Sequence, residues 1–305
     1  MAFALACLAA MPPAASAAPG GDGGILYIPS AASIASQCPS SCGDVNISYP
    51  FGIGAGCFRQ GFELTCNHTT QPPKLFLGNS TTQITDMYGS LIYVPAMFFN
   101  SSSEESGTNT YNISWDAPAK GITIYSYNSF FFLGCDFYVD LFDAVRNPIG
   151  TCMSRCHGEV LPNQGPCNGF GCCSISLRSD ISGFQGAIVR AGNMVAQSDP
   201  LHTDIMAFML DGGDYYTDNA TDLFSSWTNA SKIYDAALEV TIMDQPSCKS
   251  AQMNNASYAC ATDSYCKNES YGGYSCHCYD GYYTDNAYIL EGCTPQQGFT
   301  CLAFQ

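Results

Sequence analysis

Short apolar segments, each about the length of a β-strand, are the main pattern along this chain. Gly121–Cys135 (GITIYSYNSFFFLGC) mixes alternation with β-branched and aromatic residues, as strands do. Ser90–Val94 (SLIYV) is a similar run that we expect to stop at Pro95, and Asp235–Asp244 (DAALEVTIMD) predicts a strand that enters a turn at Pro246. No stretch keeps a 3.6-residue apolar period, so the sequence predicts a mainly β protein.

The first residues have the pattern of a secretion signal. Met1–Met11 is an apolar run, and Ala15-Ser16-Ala17 supplies the small residues of a cleavage site, although Lys and Arg are missing before the run. We therefore predict that residues 1–17 are a signal peptide, and the Pro12-Pro13 pair disfavours the alternative of a buried helix. Later apolar runs are too short for a membrane span, so we expect a secreted chain.

The cysteines support the same compartment. The chain has 18 cysteines, and all except Cys7 follow the predicted signal. Thiols at this density persist as disulfides in an oxidising compartment. The spacing separates a first stretch (Cys38–Cys135), a dense cluster (Cys152–Cys173), a cysteine-free stretch (Asp180–Gln245) and a final group (Cys248–Cys293).

Glycosylation sequons and charge limit the classes of partner. Sequons of the Asn-x-Ser/Thr type are more frequent than composition predicts, which indicates a glycosylated surface. They begin at Asn46, Asn67, Asn79, Asn100, Asn112, Asn219, Asn229, Asn255 and Asn268. The formal charge is −16 with ten Lys and Arg, so nucleic acid is a poor partner and other polyanions are repelled at long range.

One long motif carries a family resemblance. It begins with Cys38-Pro39-Ser40-Ser41-Cys42-Gly43 and continues through Asn46–Gly54 (NISYPFGIG), Cys57, Gly61–Leu64 (GFEL) and Cys66. This pattern resembles the N-terminal ectodomain module of plant wall-associated receptor kinases, the galacturonan-binding type. The cysteines of the dense cluster, with Gly134-Cys135-Asp136 before them, resemble the same family.

The final cysteine group is similar to an EGF-like domain. Its members are Cys248, Cys260, Cys266, Cys276, Cys278 and Cys293. Spacing alone leaves their connectivity open. The resemblance implies the pairs Cys248–Cys266, Cys260–Cys276 and Cys278–Cys293. A module this small buries little core, so disulfides must supply much of its stability.

These patterns predict disulfide-rich extracellular modules that end in a small EGF-like domain. The predicted divisions are a signal peptide (1–17), a galacturonan-binding type module (36–143), a central region (144–245), an EGF-like module (248–293) and a divergent tail (294–305). Cys301 in the tail leaves an odd number of cysteines, which is consistent with a free thiol, an intermolecular bond or a truncated chain. A truncated receptor would be membrane-anchored.

Metal and catalytic patterns are weak. Cys152, Cys156 and His157 have a zinc-like arrangement, but disulfides are favoured in a secreted chain. The acidic stretch through Asp211, Asp214, Asp218 and Asp222 lacks the ligand order of an EF-hand. The stretch before Cys248 and the pair Asn268 and Tyr274 fit a calcium-binding EGF pattern poorly. We predict no metal and no cofactor.

Enzyme signatures are missing as well. The four histidines, at positions 68, 157, 202 and 277, lie outside HExxH-type contexts. The chain has no GxSxG motif and none of the kinase motifs VAIK, HRD and DFG. We predict that the chain is not an enzyme.

The resemblance implies a cell-wall ligand. It implies a secreted receptor-like protein of the cell wall that binds pectin or oligogalacturonide. Tyr49, Phe51, Phe58 and Phe62 are candidate sugar-stacking residues and Arg59 is the leading cationic candidate, while core packing is the alternative for each aromatic ring. The alternative function is a protein-interaction module or decoy that pairs with ectodomains of full-length wall-associated receptor kinases.

Overall fold

The computed structural model describes residues 22–99, 102–103, 110–156, 165–190, 205–212, 216–217, 235–284 and 286–295. The predicted signal peptide, Cys7 and Cys301 lie outside the described residues, so their roles stay predictions.

The N-terminal part of the described chain is a module of short strands held by disulfides. Its elements are α1 (Ala31–Gln37), β1 (Ser41–Cys42), β2 (Val45–Asn46), β3 (Leu64–Asn67), β4 (Lys74–Leu77) and β5 (Gln83–Ile84). β1 pairs with β2, and β3, β4 and β5 form a three-stranded sheet. The bonds Cys38–Cys57 and Cys42–Cys66 join these short pieces, as expected for a unit too small to be stabilised by its core alone.

In the central part, the described residues between 86 and 240 form fifteen strands. They are β6 (Asp86–Tyr88), β7 (Leu91–Pro95), β8 (Met97–Phe99), β9 (Ser102–Ser103), β10 (Thr110–Asp116), β11 (Ile122–Ile124), β12 (Asn128–Leu133), β13 (Phe137–Asp143), β14 (Pro148–Ser154), β15 (Gly165–Pro166), β16 (Cys172–Ser176), β17 (Gly183–Arg190), β18 (Met206–Asp211), β19 (Tyr216–Thr217) and β20 (Asp235–Val240). The larger sheets have the orders β14-β13-β17-β10-β9, β11-β20-β7-β6 and β16-β12-β18-β8, and β15 pairs with β19.

The core of the central part lies around β12. This strand is buried along its whole length and lies between β16 and β18. Phe130 packs edge-to-face on Phe184 of β17, with ring centroids 4.7 Å apart, and Phe184 packs in the same way on Phe99 at 4.9 Å. These contacts join two of the sheets through the fully buried Phe130 and Phe184 and the partly buried Phe99.

The three segments with strand patterns form strands. The Gly121–Cys135 segment is divided into β11 and β12 by the turn that contains Tyr125 and Tyr127. The Asp235–Asp244 segment forms β20. β7 includes Pro95 instead of stopping before it, because proline is tolerated at the end of a strand, where its missing N–H costs no ladder bond.

Strand pairing does not follow the predicted boundary between residues 143 and 144. β10 and β13 precede that point, yet both pair with β17, which follows it. In the same way, β7 and β11 both pair with β20. The cysteine-free stretch therefore supplies strands to sheets that begin in the predicted first module.

The C-terminal part is a small module with two hairpins. Its elements are α2 (Cys248–Met253), β21 (Ser264–Asn268), β22 (Tyr274–Cys278), β23 (Tyr282–Thr284) and β24 (Cys293–Pro295). β21 pairs with β22 and β23 with β24. Tyr274 and Ile242, just after β20, exchange two backbone hydrogen bonds of 3.0 Å, which attach this module to the central sheets.

Eight disulfides include all sixteen cysteines of the described residues. The central bonds are Cys135–Cys156, Cys152–Cys173 and Cys167–Cys172. The C-terminal bonds are Cys248–Cys266, Cys260–Cys276 and Cys278–Cys293, which are the pairs implied by the EGF-like resemblance. The predicted class, mainly β with disulfide-rich modules, is confirmed.

Candidate functional site

The four aromatic residues predicted to stack on sugars are buried. Tyr49 is 4% exposed, and Phe51, Phe58 and Phe62 are each 1% exposed. Phe51 and Phe62 pack edge-to-face with centroids 5.1 Å apart. Rings with so little exposed surface pack the core of the N-terminal module, which was the alternative role, and their contact with a ligand stays a prediction.

Arg59 is also buried, with 1% of its surface exposed. Its Nη1 donates to the carbonyl of Leu26 at 3.0 Å, and its Nη2 pairs with Asp244 Oδ2 at 2.8 Å. The same Nη2 donates to the carbonyl of Ser257. Arg59 thus holds together the N-terminal module, the end of the central sheets and the C-terminal module. The planar, always charged guanidinium suits a buried junction of this kind.

The surroundings of Arg59 are set by its neighbours in the motif. Burial raises the pKa of the Tyr49 phenol well above its ordinary value, so Tyr49 is a neutral packing group. At Gly52, an added Cβ would lie 2.0 Å from the carbonyl oxygen of Cys57, so the motif requires glycine there. Tyr49, Gly52 and Arg59 therefore lie in the interior of the junction and not on its surface.

A cleft of about 1000 Å³ opens beside this junction, and we call it the junction cleft. The N-terminal module contributes Gln60, Glu63 and Asn79, the central part contributes Lys120, and the C-terminal module contributes Asn254. Its size falls in the range of ligand sites, and its walls combine amide, hydroxyl, charged and apolar groups.

The charges of the junction cleft are uneven. Lys120 is the cationic side chain among the described residues that line the cleft, and it is exposed. Glu63 and Asp22 are exposed acids of the cleft, and Asp22 accepts the N–H groups of Gly24 and Gly61 at 3.0 Å and 2.9 Å. Gly121, which follows Lys120, has φ +83, and a Cβ there would lie 2.7 Å from Thr241 O. The backbone next to Lys120 therefore requires glycine.

The N-terminal wall of this cleft belongs to a known module. Residues 38–90 match the protein-family model described as wall-associated receptor kinase galacturonan-binding. The match includes Gln60–Glu63 and Leu77–Ser80, which line the cleft. The chain is homologous to the wall-associated receptor kinases.

Three wall-associated receptor kinases of Arabidopsis thaliana illustrate the similarity. Wall-associated receptor kinase 3 is 30% identical over 275 residues, kinase 4 is 27% identical over 269, and kinase 2 is 28% identical over 266. Each alignment includes 84% of this chain and 34–35% of the relative. The chain therefore spans about a third of the length of the curated relatives it matches. No solved structure matches the chain.

The similarity and the disulfides fit an extracellular location, as for the ectodomains of wall-associated receptor kinases. Among the residues that the structure describes, no helix has the length and apolarity needed to span a membrane.

Six of the predicted glycosylation asparagines lie in the described part of the chain. Asn46, Asn79, Asn255 and Asn268 are exposed, and Asn67 and Asn112 are partly buried. Asn100, Asn219 and Asn229 lie outside the described residues. Asn79 lines the junction cleft, so a glycan there would lie beside the wall formed by the galacturonan-binding module.

Several residues of the weak metal patterns have other contacts in the described part of the chain. Cys152 and Cys156 are both in disulfides, so neither offers a thiolate to zinc. Asn268 Oδ1 accepts the backbone N–H of Cys248 at 2.7 Å, and Tyr274 is buried. Asp211 ends β18, while Asp214, Asp218, Asp222 and His157 lie outside the described residues.

A carboxylate cluster was missed at the sequence level. Asp180, Glu239 and Glu269 come from distant segments, and their oxygens lie within 4.8 Å of one another. Lys267 Nζ already pairs with Glu269 at 3.2 Å, so the cluster has a cation of its own. Burial, with the nearby Glu269 and Asp180, raises the pKa of Glu239 to about 7. No local pattern could reveal the cluster, because its members meet through tertiary packing.

Proposed function

We propose that this chain is an extracellular receptor-like module that binds galacturonan, as pectin or oligogalacturonide, in the junction cleft. The observation that carries the proposal is the family match at residues 38–90, because that module supplies one whole wall of the cleft. The mixed lining suits a polyhydroxylated ligand, since amide and hydroxyl groups can exchange hydrogen bonds with sugar hydroxyls.

The charge of the protein and the charge of a polyuronate ligand have the same sign, which affects how the ligand binds. The net charge of −16 opposes the approach of a polyuronate, but this long-range term is screened beyond about 8–10 Å at moderate salt. Short-range contacts then decide affinity. Lys120 is the contact we assign to a uronate carboxylate, and a Ca²⁺ ion could bridge Glu63 or Asp22 to the same ligand.

Binding, and not catalysis, is the role that these observations support. The matched module is described by its binding. Of the four histidines of the chain, His157 and His202 lie outside the described residues. His68 is exposed on the N-terminal module and His277 is partly buried on β22.

The test is a titration of the intact, disulfide-bonded protein with an oligogalacturonide in buffer with Ca²⁺ and in buffer with chelator. We expect Lys120→Gln to weaken binding about fivefold, which corresponds to about 1 kcal/mol for an exposed charged contact. Lys74→Gln is the matched control, because Lys74 is an exposed lysine on β4 of the N-terminal module and does not line the cleft.

Two outcomes would redirect the assignment. Equal affinities for wild type and the Lys120 variant would remove the cleft as the site. Absence of oligogalacturonide binding in both buffers, together with capture of a wall-associated receptor kinase ectodomain, would favour the protein-interaction function instead.

A further inference from the structure

A second cavity lies on the other face of β20. Successive residues of a strand point to opposite faces, and Val240 lines the junction cleft while Glu239 lines this second space. It has a volume of about 420 Å³ and lies between the β6–β7 turn of the central part and the β21–β22 hairpin. We call it the tyrosine cavity.

Four tyrosines line the tyrosine cavity: Tyr88, Tyr125, Tyr265 and the buried Tyr288. Tyr88 is 61% exposed and Tyr265 is 42% exposed, so part of each side chain faces solvent. Tyr265 is held against the ring of His277, with centroids 5.6 Å apart, and Tyr125 stacks on Tyr127 at 5.2 Å. Rings held in place in this way offer apolar faces with little loss of side-chain entropy on binding.

Glu239 and His277 line the same cavity as these rings and carry hydrogen-bonding groups. Glu239 is 4% exposed, and its Oε1 lies 3.4 Å from Ser90 Oγ, which donates to it. The Ser275 hydroxyl donates a hydrogen bond to Glu269. His277 Nε2 lies 2.8 Å from Ser275 Oγ, and because the Ser275 proton is already used, Nε2 must be the donor in this second bond. Burial lowers the pKa of His277, which favours the neutral ring and leaves Nδ1 as an acceptor. The cavity is thus lined by a carboxyl group and an imidazole beside aromatic side chains.

The charge balance selects among ligands. Lys267 is the cation of the cavity and is already paired with Glu269 at 3.2 Å. Glu239 lines the cavity, and Asp180 and Glu269 lie behind the lining with their oxygens within 4.8 Å of it, so the cluster at this wall holds three carboxyl groups and one cation. An anionic sugar would be repelled there, whereas neutral hydroxyl groups can donate to the carboxyl oxygens and to the histidine.

We propose that the tyrosine cavity is a second saccharide site, which binds a neutral pyranose by stacking on Tyr265 and by hydroxyl bonds to Glu239 and His277. This site does not depend on the galacturonan proposal. Its ligand is distinguished by charge, and the two sites share no lining residue.

The experiment titrates the intact protein with three neutral probes, cellotetraose, mannotetraose and β-1,4-galactotetraose, and with tetragalacturonate. At least one neutral probe should bind, and Tyr265→Ala should weaken it about tenfold, the upper end of the range for an aromatic contact. Tyr138→Ala is the matched control, because Tyr138 is 43% exposed but lies on β13 and does not line the cavity. Thermal unfolding of each variant establishes that the fold is intact.

A second variant tests the polar half of the site. Glu239→Gln keeps the shape of the side chain but removes the charged acceptor, so it should weaken the same neutral probe at neutral pH. Three results would overturn the proposal: failure of every neutral probe to bind, equal losses for Tyr265→Ala and Tyr138→Ala, or a Tyr265-dependent preference for tetragalacturonate. Loss of oligogalacturonide binding in the Lys120 variant leaves this site unaffected.

Discussion

The junction cleft and the tyrosine cavity lie on opposite faces of one strand and meet the same C-terminal module, yet they differ in chemistry. The cleft combines amide groups with one exposed lysine, Lys120, whereas the cavity combines exposed tyrosines with a buried carboxyl group, Glu239. Two neighbouring residues of β20 therefore face two different environments. The comparison shows that one docked module borders two cavities with different linings.

Both sites depend on how the C-terminal module is held. Arg59 fixes it from the side of the N-terminal module, through Asp244 and Ser257. The backbone bonds between Ile242 and Tyr274 fix it to the central sheets. A change at the junction should alter both sites, whereas a change within one site should leave the other intact.

The largest effect is expected for Arg59→Met. Removal of the guanidinium leaves the mostly buried Asp244 carboxylate without its partner, which costs about 3–5 kcal/mol for a buried pair. Chemical denaturation should show this loss, together with weaker binding at both sites. Lys74→Met, on the exposed face of β4, is the control and should stay near wild-type stability.

The same variant separates the two roles of Arg59. Unchanged stability with lost oligogalacturonide binding would mean that the guanidinium contacts the ligand, as the sequence predicted. Lost stability would support the junction role.

A smaller effect, which originates at the tyrosine cavity, is expected for Glu239→Gln. The folded-state pKa of about 7 lies above the ordinary 4.5, so the folded state retains the proton over that range and stability falls as pH rises through it. The full loss is about 3 kcal/mol, from about 1.4 kcal/mol per pH unit. Asp180, Glu269 and Lys267 are the charged groups that face Glu239.

The measurement is the melting temperature at pH 5 and pH 8. Wild type should lose more stability than the Gln variant between these values, because glutamine does not titrate. Parallel profiles for the two proteins would contradict the buried state of Glu239.

The independence of the two sites is the third prediction. Lys120→Gln should weaken oligogalacturonide binding about fivefold and change neutral-probe binding by less than about twofold, and Tyr265→Ala should do the reverse. The double variant should show the sum of the two losses within about 0.5 kcal/mol, since the sites share no side chain. Coupling above that value would indicate that the sites act through a shared movement of the C-terminal module.

The smallest effect concerns a glycan at the rim of the cleft. Asn79→Gln should raise oligogalacturonide affinity about twofold, because a bulky glycan beside the cleft hinders a long ligand. Asn46→Gln removes an exposed sequon that does not line the cleft, and its affinity should match wild type. Equal affinities for the two variants, with both glycans shown to be absent by mass, would contradict a role for this glycan.

Several features were predictable because they depend on local patterns. Short apolar runs identified β7, β12 and β20 as strands, since strand formation follows from alternation and β-branched content. Cysteine density and the motif from Cys38 to Cys66 led to the disulfide-rich class and to the family. Each of these signals lies within one segment of the chain.

Site residues were harder to predict. Arg59 and its aromatic neighbours were selected for their place in the motif, but a motif does not reveal whether a side chain faces water or the core. The structure buries all five of them, and the exposed lining comes instead from residues with no local pattern, such as Lys120 and Tyr265.

The sequence by itself determined the local chemistry of this protein: its strands, its disulfide-rich class, its charge and its relation to wall-associated receptor kinases. The tertiary structure alone decided that β17 and β20 complete sheets begun much earlier, that Arg59 is a buried junction, and that Asp180, Glu239 and Glu269 meet. The physical reason is that burial and long-range pairing depend on which surfaces exclude water together, and no single segment of the chain specifies that.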